Sequence, residues 1–414
     1  MTQPGAHADP GPEPIPTAEH PDQAARVIGH LLAHGSASRS ELASASGLGR
    51  TAATALVHRL VERGVVVETD ASPHVRGGRL ALAVAGRVIL TAGVAGDDAV
   101  ATLAELDGTE IARYEEPVAL RDDDSRPGPA AALDALALVV DRTAAQAARD
   151  EREVAAMTIV VQGAVAGSPE LAVLDDALGL EPIDVVAALR ARSERLAAFE
   201  GALLIAPALV SGPAAQAVAE STLQHTSVLL HITGDTQVAA GIAIDGAAYH
   251  GAHGLAGTFA HLPVVPDGVR CECGQRGCLA TVASPGVVLE KAELDEFERQ
   301  YGRRAALEEL VVRITEAEDR ARWAWLDAAF WIGRALQVVV PSIDPGVVTV
   351  GGWWGPLAGD IDAAFRDNRP SLGGGALAAI PRIAPATTGS DSGFAGAARQ
   401  ARERLRDALA IAAG

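Results

Sequence analysis

All three cysteines of this 414-residue chain fall in one eight-residue stretch, Cys271-Glu-Cys273-Gly-Gln-Arg-Gly-Cys278, and His261 lies ten residues before the first. Three thiolates and an imidazole in one short segment form the ligand set of a closed structural zinc site. Gly274 and Gly277 let the backbone turn tightly enough to aim three sulfurs at one point. Three unrelated core cysteines would have no reason to be confined to this segment. The expectation is one Zn²⁺ per chain, held by His261, Cys271, Cys273 and Cys278. With all four positions filled by protein, such an ion organises structure and has no open site for catalysis. Arg270 and Arg276 are placed to offset the excess negative charge.

A 49% hydrophobic content over this length allows two or three domains with proper cores. No apolar run of the length needed to span a bilayer is evident, so no membrane association is expected. The N-terminus carries Pro, Gly, Asp and Glu in place of a basic-then-apolar start, and so does not resemble a secretory signal. Reduced cysteines in a metal motif agree with a cytoplasmic protein. The net charge of −19 argues against a protein that coats nucleic acid over its whole surface. From Ala24 to Leu80, however, seven Arg face three Glu and one Asp, a local balance of +3. Lys291 is the only lysine, so arginine supplies nearly all positive charge.

Residues 1–20 lack periodicity and read as a disordered tail. Residues 21–85 read as a winged helix-turn-helix domain. A first helix, Asp22 to His34, ends at Gly35. Ser38-Arg-Ser-Glu41 is a capping box opening a second helix, and Gly47-Leu-Gly49 makes the turn. A third helix runs from Arg50 to Arg63 and stops at Gly64. Its Ala53, Leu56, Val57 and Leu60 follow the i, i+3, i+4, i+7 spacing of a buried face. Arg50, Thr51, Thr54 and His58 then lie on the other face, open to a DNA groove, with Ser40 on the second helix. Val65–Thr69 and Leu80–Val84 read as a hairpin whose basic tip, His74 to Arg79, is a wing. Arg76 and Arg79 are its candidates for phosphate or minor-groove contact. A helical domain that binds protein would share the helix pattern but not the basic hairpin.

Beyond residue 86 the pattern is α/β. Strand-like runs at Val88–Thr91, Val100–Ala104, Met157–Val161, Ser227–Ile232 and Gly346–Val350 alternate with Ala- and Leu-rich helical runs such as Ala130 to Arg149. Two α/β lobes with a cleft between them are expected. The first covers residues 86–205, with the last helix (393–414) packing back on it. The second covers residues 206–392 and includes the zinc loop 261–280.

The spacing His-x9-Cys-x-Cys-Gly-x-x-Gly-Cys-Leu resembles the zinc signature of the ROK family, which groups sugar kinases with transcriptional repressors. Gly241-Ile-Ala-Ile-Asp-Gly246, Tyr249-His-Gly-Ala-His-Gly-Leu-Ala-Gly257 and Ala283-Ser284 extend the likeness, which covers residues 24 to 410. It implies an actin-like, ribonuclease-H-like two-lobed body. The wing resembles that of ROK repressors, usually Gly-Gly-Arg-Pro, but here Gly77-Gly-Arg-Leu80 lacks the proline.

Against the same family's kinases, the chemistry is missing. The first phosphate loop, Asp-x-Gly-Gly-Thr, falls at Gly93 to Asp98, with Ala95 at the aspartate. The second, Gly-Thr-Gly-x-Gly, falls at Asp235 to Ala239 and retains no glycine. The catalytic segment Asn-Asp-Ala-Asn falls at Ser211-Gly-Pro-Ala214, so Gly212, which cannot accept a proton, stands where the resemblance puts the base. Of the sugar-binding groups, two glutamates become Thr258 and Ala280, and the asparagine becomes Ser211. A buried hydroxyl without a partner costs about 1–3 kcal/mol, so a hexose should bind poorly here.

The reading is a DNA-binding transcriptional regulator, a repressor by family resemblance, with a zinc-stapled pseudokinase body that is not an enzyme. Its partners are double-stranded operator DNA, an inverted repeat matched to a homodimer or homotetramer, and a non-standard small-molecule effector, if one exists. Two alternatives stay open: a module controlled by a protein partner, and an active sugar kinase. The pair Trp353-Trp354 offers a docking contact or, as bulky residues more often do, core packing.

Overall fold

A computed structural model describes residues 21–69, 78–118, 128–193, 195–196, 203–235, 237–367, 380–389 and 392–413. The tail 1–20 and the wing tip that carries Arg76 lie outside the described residues. Residues 1–85 and 406–414 form one compact unit, and residues 86–405 form another.

The first unit is built from helices α1 (Pro21–His34), α2 (Arg39–Ser46) and α3 (Arg50–Glu62) and strands β1 (Ser36–Ala37), β2 (Val66–Thr69) and β3 (Arg79–Leu82). The capping box forms: the Glu41 N–H donates to Ser38 Oγ at 3.3 Å, and the Ser38 N–H donates to the Glu41 carboxylate at 2.6 Å. Gly47, at φ +72°, ends α2 in the left-handed conformation. Ala53, Leu56, Val57 and Leu60 are the buried residues of α3. The hairpin gains a strand that the sequence pattern did not suggest, because β1 is too short to show a period. The order is β1-β3-β2, all antiparallel.

The second unit contains two five-stranded sheets of the same design. In the first lobe β4 (Val88–Ala95), β5 (Asp98–Glu105) and β6 (Glu110–Pro117) form an antiparallel meander. After helix α4 (Pro129–Arg149), β7 (Val154–Val161) joins parallel to β4. A small hairpin, β8 (Ala164–Ala166) and β9 (Leu171–Val173), and helix α5 (Val185–Arg190) lead to β10 (Ala208–Ser211), parallel to β7. Helix α6 (Gly212–Leu223) crosses to the second lobe, where β11 (Val228–Thr233), β12 (Ala239–Ile244) and β13 (Ala247–Ala248) repeat the meander. A long loop and helices α7 (Ala280–Ala283), α8 (Pro285–Lys291), α9 (Asp295–Tyr301), α10 (Arg303–Thr315) and α11 (Asp319–Ile343) follow. Then β14 (Val347–Gly351), α12 (Ala358–Asp367) and β15 (Arg382–Pro385) close the sheet, both strands parallel to their neighbours. The orders β10-β7-β4-β5-β6 and β15-β14-β11-β12-β13 correspond strand for strand, the doubled α/β arrangement of the actin-like fold.

The buried strands read as near-continuous apolar runs because both faces are covered. Leu133, Leu136, Val139 and Val140 of α4 pack with Val88, Leu90 and Met157. Trp325, Ile332 and Leu336 of α11 pack with Ile232, Val350 and Trp354. By length and composition α11 is the one described helix that could cross a membrane, but its inner face is the core of the second lobe. The Trp pair resolves to packing: Trp354 is fully buried and Trp353 nearly so, edge-on to Trp325. The last helix, α13 (Ser392–Ala413), departs in part from expectation. Its start packs on the first lobe through Phe394 and Ala397, but residues from Arg406 on belong to the first unit. A 22-residue helix is about 33 Å long, more than one lobe's core can cover.

Candidate metal centre and the cleft beside it

The loop from Tyr249 to Leu279 brings the four candidate ligands together: one ligand atom from each of His261, Cys271, Cys273 and Cys278 lies within 4.8 Å of the others. A short 3-10 turn, Phe259–His261, presents the imidazole. Hydrogen bonds from the Cys271 N–H to the Gln275 carbonyl (2.8 Å) and from the Gly274 N–H to the Cys271 carbonyl (2.9 Å) fold the knuckle. Gly277, at φ +71°, is required for two reasons, because a Cβ there would also fall 1.9 Å from the Val265 carbonyl oxygen. Leu279, Phe259 and Ala283 anchor the loop in the second lobe's core.

The donor set fits a tetrahedral ion. Ligands about 2.3 Å from one metal sit roughly 3.7 Å apart. Cys273 Sγ and Cys278 Sγ are 3.6 Å apart, and Cys271 Sγ and His261 Nδ1 are 3.7 Å apart. Such a sulfur spacing is far too long for a disulfide. Burial, then hydrogen bonding from the neighbouring sulfurs, pushes the Cys278 thiol up to about 12, while burial lowers the pKa of His261. A cluster of this kind could hold a metal ion. Arg270 and Arg276 pair across the knuckle through their backbones and are exposed.

His261 also lines the cleft between the lobes. The cavity there is only about 30 Å³ and is bounded by Gln162 and Ser211 on one side and by Gln237, Ala240, Thr258 and His261 on the other. It has room for a water or two, not for a hexose. Of the candidate effector residues, Ser211 and Thr258 line it. Gly212, the first residue of α6, lies just beside it, and Ala280 is not part of its wall. The space in front of Gly212 is taken by Gln162: a Cβ on Gly212 would meet Val160 Cγ1 at 3.2 Å and the Gln162 carboxamide at 3.4 Å. Asp175 fixes Gln162 by accepting its backbone N–H at 2.7 Å. Across the cleft mouth the two lobes touch backbone to backbone. A Cβ on Gly254 would lie 1.9 Å from the Val165 carbonyl oxygen.

The two segments that the resemblance sets at the kinases' phosphate loops are also packed against other parts of the body. The first is a tight β4–β5 turn whose Asp97 accepts the Arg303 N–H at 3.0 Å, capping α10 of the other lobe. At the second, the half-buried Asp235 carboxyl accepts a hydrogen bond from Thr233 Oγ1 at 3.1 Å, and desolvation pushes its pKa up. It lies against Gly352, where a Cβ would come within 2.3 Å of it. The Trp354 indole sits on Gly234, where a Cβ would be 2.2 Å from the ring. No local pattern in the sequence marks Gln162, Asp97 and Trp354 for the cleft, since each packs against or bonds to a residue distant in the chain.

In the first unit Arg50, Thr51, Thr54 and His58 share the exposed face of α3, and Ser40 is exposed on α2. The Thr54 hydroxyl donates back to the Arg50 carbonyl at 2.8 Å, and His58 lies 3.3 Å from Glu62. Arg79 is placed differently from a free wing cation. It sits at the base of the hairpin and donates to Ser36 Oγ at 2.9 Å and to the Ser36 carbonyl.

The ROK family model matches residues 94–404, three-quarters of the sequence. The chain belongs to the ROK family. A MarR family model matches residues 21–77 of this ROK protein. It is 25% identical over 328 residues, 77% of each chain, to the DNA-binding transcriptional dual regulator NagC of Escherichia coli K12. Among solved structures, it is similar to a ROK family transcriptional regulator described as a homologue of the E. coli MLC protein. That likeness covers 94% of this chain and 98% of the other, at 18% identity and a TM-score of 0.68. A ROK glucokinase from Streptomyces griseus in complex with glucose and AMPPNP matches 76% of this chain and 99% of its own, at 20% identity and a TM-score of 0.57. These two likenesses establish the shared fold.

Proposed function

We propose that this ROK-family protein is a cytoplasmic DNA-binding transcriptional regulator, acting as a repressor, whose kinase-like body no longer transfers phosphate. One observation carries the reading: a winged helix-turn-helix unit with an exposed recognition face on α3 is joined to a body in which Gln162, Asp97, Asp235 and Trp354 occupy the space of catalysis. Similarity to NagC over 77% of the chain supports the regulator branch. In this reading Arg50, Thr51, Thr54, His58 and Ser40 face the major groove, and Arg76 and Arg79 serve the wing. One structural Zn²⁺ is held by His261, Cys271, Cys273 and Cys278. The chain works as a homodimer or homotetramer on an inverted-repeat operator. Ser211 and Thr258 line, and Gly212 adjoins, a cleft that does not accept an unmodified hexose, while Ala280 lies outside its wall, so an effector is of another class.

The test is a genome-wide footprint of the full-length protein, followed by binding to a recovered fragment. Arg50→Ala should weaken binding by about 1–3 kcal/mol if the side chain reads a base. Affinity should fall steeply with salt. A protein that ignores every genomic fragment at low salt would sink the regulator reading.

A further inference from the structure

Two buried polar side chains line the cleft with no partner. Ser211, from the first lobe, is 9% exposed, and Gln237, from the second, 8%. Both belong to the wall of the small cavity between the lobes. Among the described residues, neither the Ser211 hydroxyl nor the Gln237 carboxamide makes a hydrogen bond. Buried polar groups are nearly always bonded, so each calls for a ligand or an ordered water. Three features select the ligand. Ser211 is the N-cap of α6, yet no side chain caps that helix, and Gly212 brings no charge to it. The helix therefore turns first-turn N–H groups and partial positive charge toward the cleft. Negative charge is scarce there. His261 is the one titratable side chain among the described residues of the wall. The Asp175 carboxylate, outside the wall, accepts the N–H groups of Gln162, Gly163, Ala177 and Leu178 at 2.7–3.0 Å. The last feature is size. The cavity of about 30 Å³ offers roughly two oxygen-sized positions, at about 10–15 Å³ each. A carboxylate has two oxygens, whereas phosphate and sulfate have four.

We propose that the cleft binds a small carboxylate, of formate or acetate size, at the N-terminus of α6, with the Ser211 hydroxyl and the Gln237 carboxamide as its donors. Anions are favoured at a helix N-terminus by its dipole and its unpaired N–H groups together. The rest of the wall, including Ala164, Leu174, Val238, Ala240 and Phe259, is apolar and suits a short alkyl stub. One donor comes from each lobe, so the bound carboxylate ties the lobes together. The site rests on the regulator reading only in its use, as the place of an effector that is not a hexose, and its occupancy is measured without DNA.

Isotope-labelled acetate added to the full-length protein, followed by NMR line broadening and by calorimetry, should saturate one site per chain. The dissociation constant should lie in the range of about 0.1–10 mM, as befits so few non-hydrogen atoms. Acetamide, which has the same shape and no charge, should bind about 10-fold more weakly or worse. Inorganic phosphate at matched ionic strength should not displace acetate. Ser211→Ala and, separately, Gln237→Leu should each weaken acetate by about 10-fold. Thermal unfolding without ligand should be unchanged or raised in both, since neither side chain has an internal bond to lose. Should a variant unfold, the comparison of acetate, acetamide and phosphate on the wild type decides. No saturable acetate binding, equal binding of acetamide, displacement by phosphate, or acetate affinity indifferent to both substitutions would each overturn the proposal. A protein that holds acetate and ignores every genomic fragment would refute the regulator reading and leave this site standing.

Discussion

The metal loop and the phosphoryl cleft lie side by side in the same body, share His261, and have opposite histories in the sequence. In the loop every residue that aims a ligand is present, down to Gly277, where a side chain would collide with Val265. In the cleft, the resemblance sets Gly212 and Ala95 where the family's kinases carry aspartates, and neighbouring side chains pack into the space. Gln162 stands before Gly212, Trp354 lies on Gly234, and Asp97 caps a helix of the opposite lobe. A structural site keeps its ligands because the fold needs them. In the proposed reading the cleft serves no reaction and has no such constraint, so close packing favours whatever fills it. The contrast predicts that damage to the loop is costly and that restoring the cleft's lost groups achieves little.

The loop provides the largest expected effect. Zinc released from such a site takes its binding free energy away from the folded state. Chelation, or Cys278→Ala, should therefore destabilise the second unit by on the order of 5 kcal/mol or more. Unfolding followed with and without chelator, alongside metal analysis giving about one zinc per chain, checks this. A metal-free protein of unchanged stability would break the comparison at its firmer side.

What the sequence made legible was local. The α3 face, the Ser38–Glu41 capping box and the cysteine knuckle each declare themselves within a dozen or so residues, through periodicity, capping chemistry or ligand spacing. What it hid was long-range. Arg79 looks like a wing cation until its partner Ser36, 43 residues away, is known. Asp97 looks like the remnant of a phosphate loop until it is seen capping Arg303, 206 residues on.

The second effect lies in the sheet beneath the cleft. His231 is fully buried on β11, with Nδ1 3.0 Å from Thr349 Oγ1 and Nε2 without a hydrogen-bond partner. Burial drives its pKa down to about 4, with Glu220 pulling the other way. The unfolded chain takes up this proton as pH drops through about 6.5, while the folded chain does not until about 4. The unfolded state therefore binds more protons in that window. The contribution is fully present above pH 6.5 and lost as pH falls toward 4, on the order of 3 kcal/mol in all. His231→Gln should flatten the stability profile between these values relative to the wild type, a difference that leaves out proton uptake by the zinc ligands common to both. Parallel profiles would mean that His231 takes up its proton over the same pH range in the folded and the unfolded chain.

The smallest effect bears most directly on the cleft. Gly212→Asp restores the carboxylate where the ROK resemblance places the base. The new Cβ would meet Val160 and the Gln162 amide at 3.2 and 3.4 Å, contacts that ask the neighbours to give by a few tenths of an ångström. The cost should be about 1–2 kcal/mol, partly offset by the favourable placing of an acid in the first turn of α6. Activity should not follow, because Trp354 and the half-buried Asp235 still fill the phosphate side, and a cavity of about 30 Å³ admits no hexose. The measurement is hexose-dependent ATP hydrolysis by the variant and by its double mutant with Ala95→Asp, beside thermal unfolding of each. Turnover above background in the single variant would mean that the cleft opens readily and that only one carboxylate separates this chain from its kinase relatives. A stable, folded and inactive double mutant would place the loss in the packing of the whole cleft.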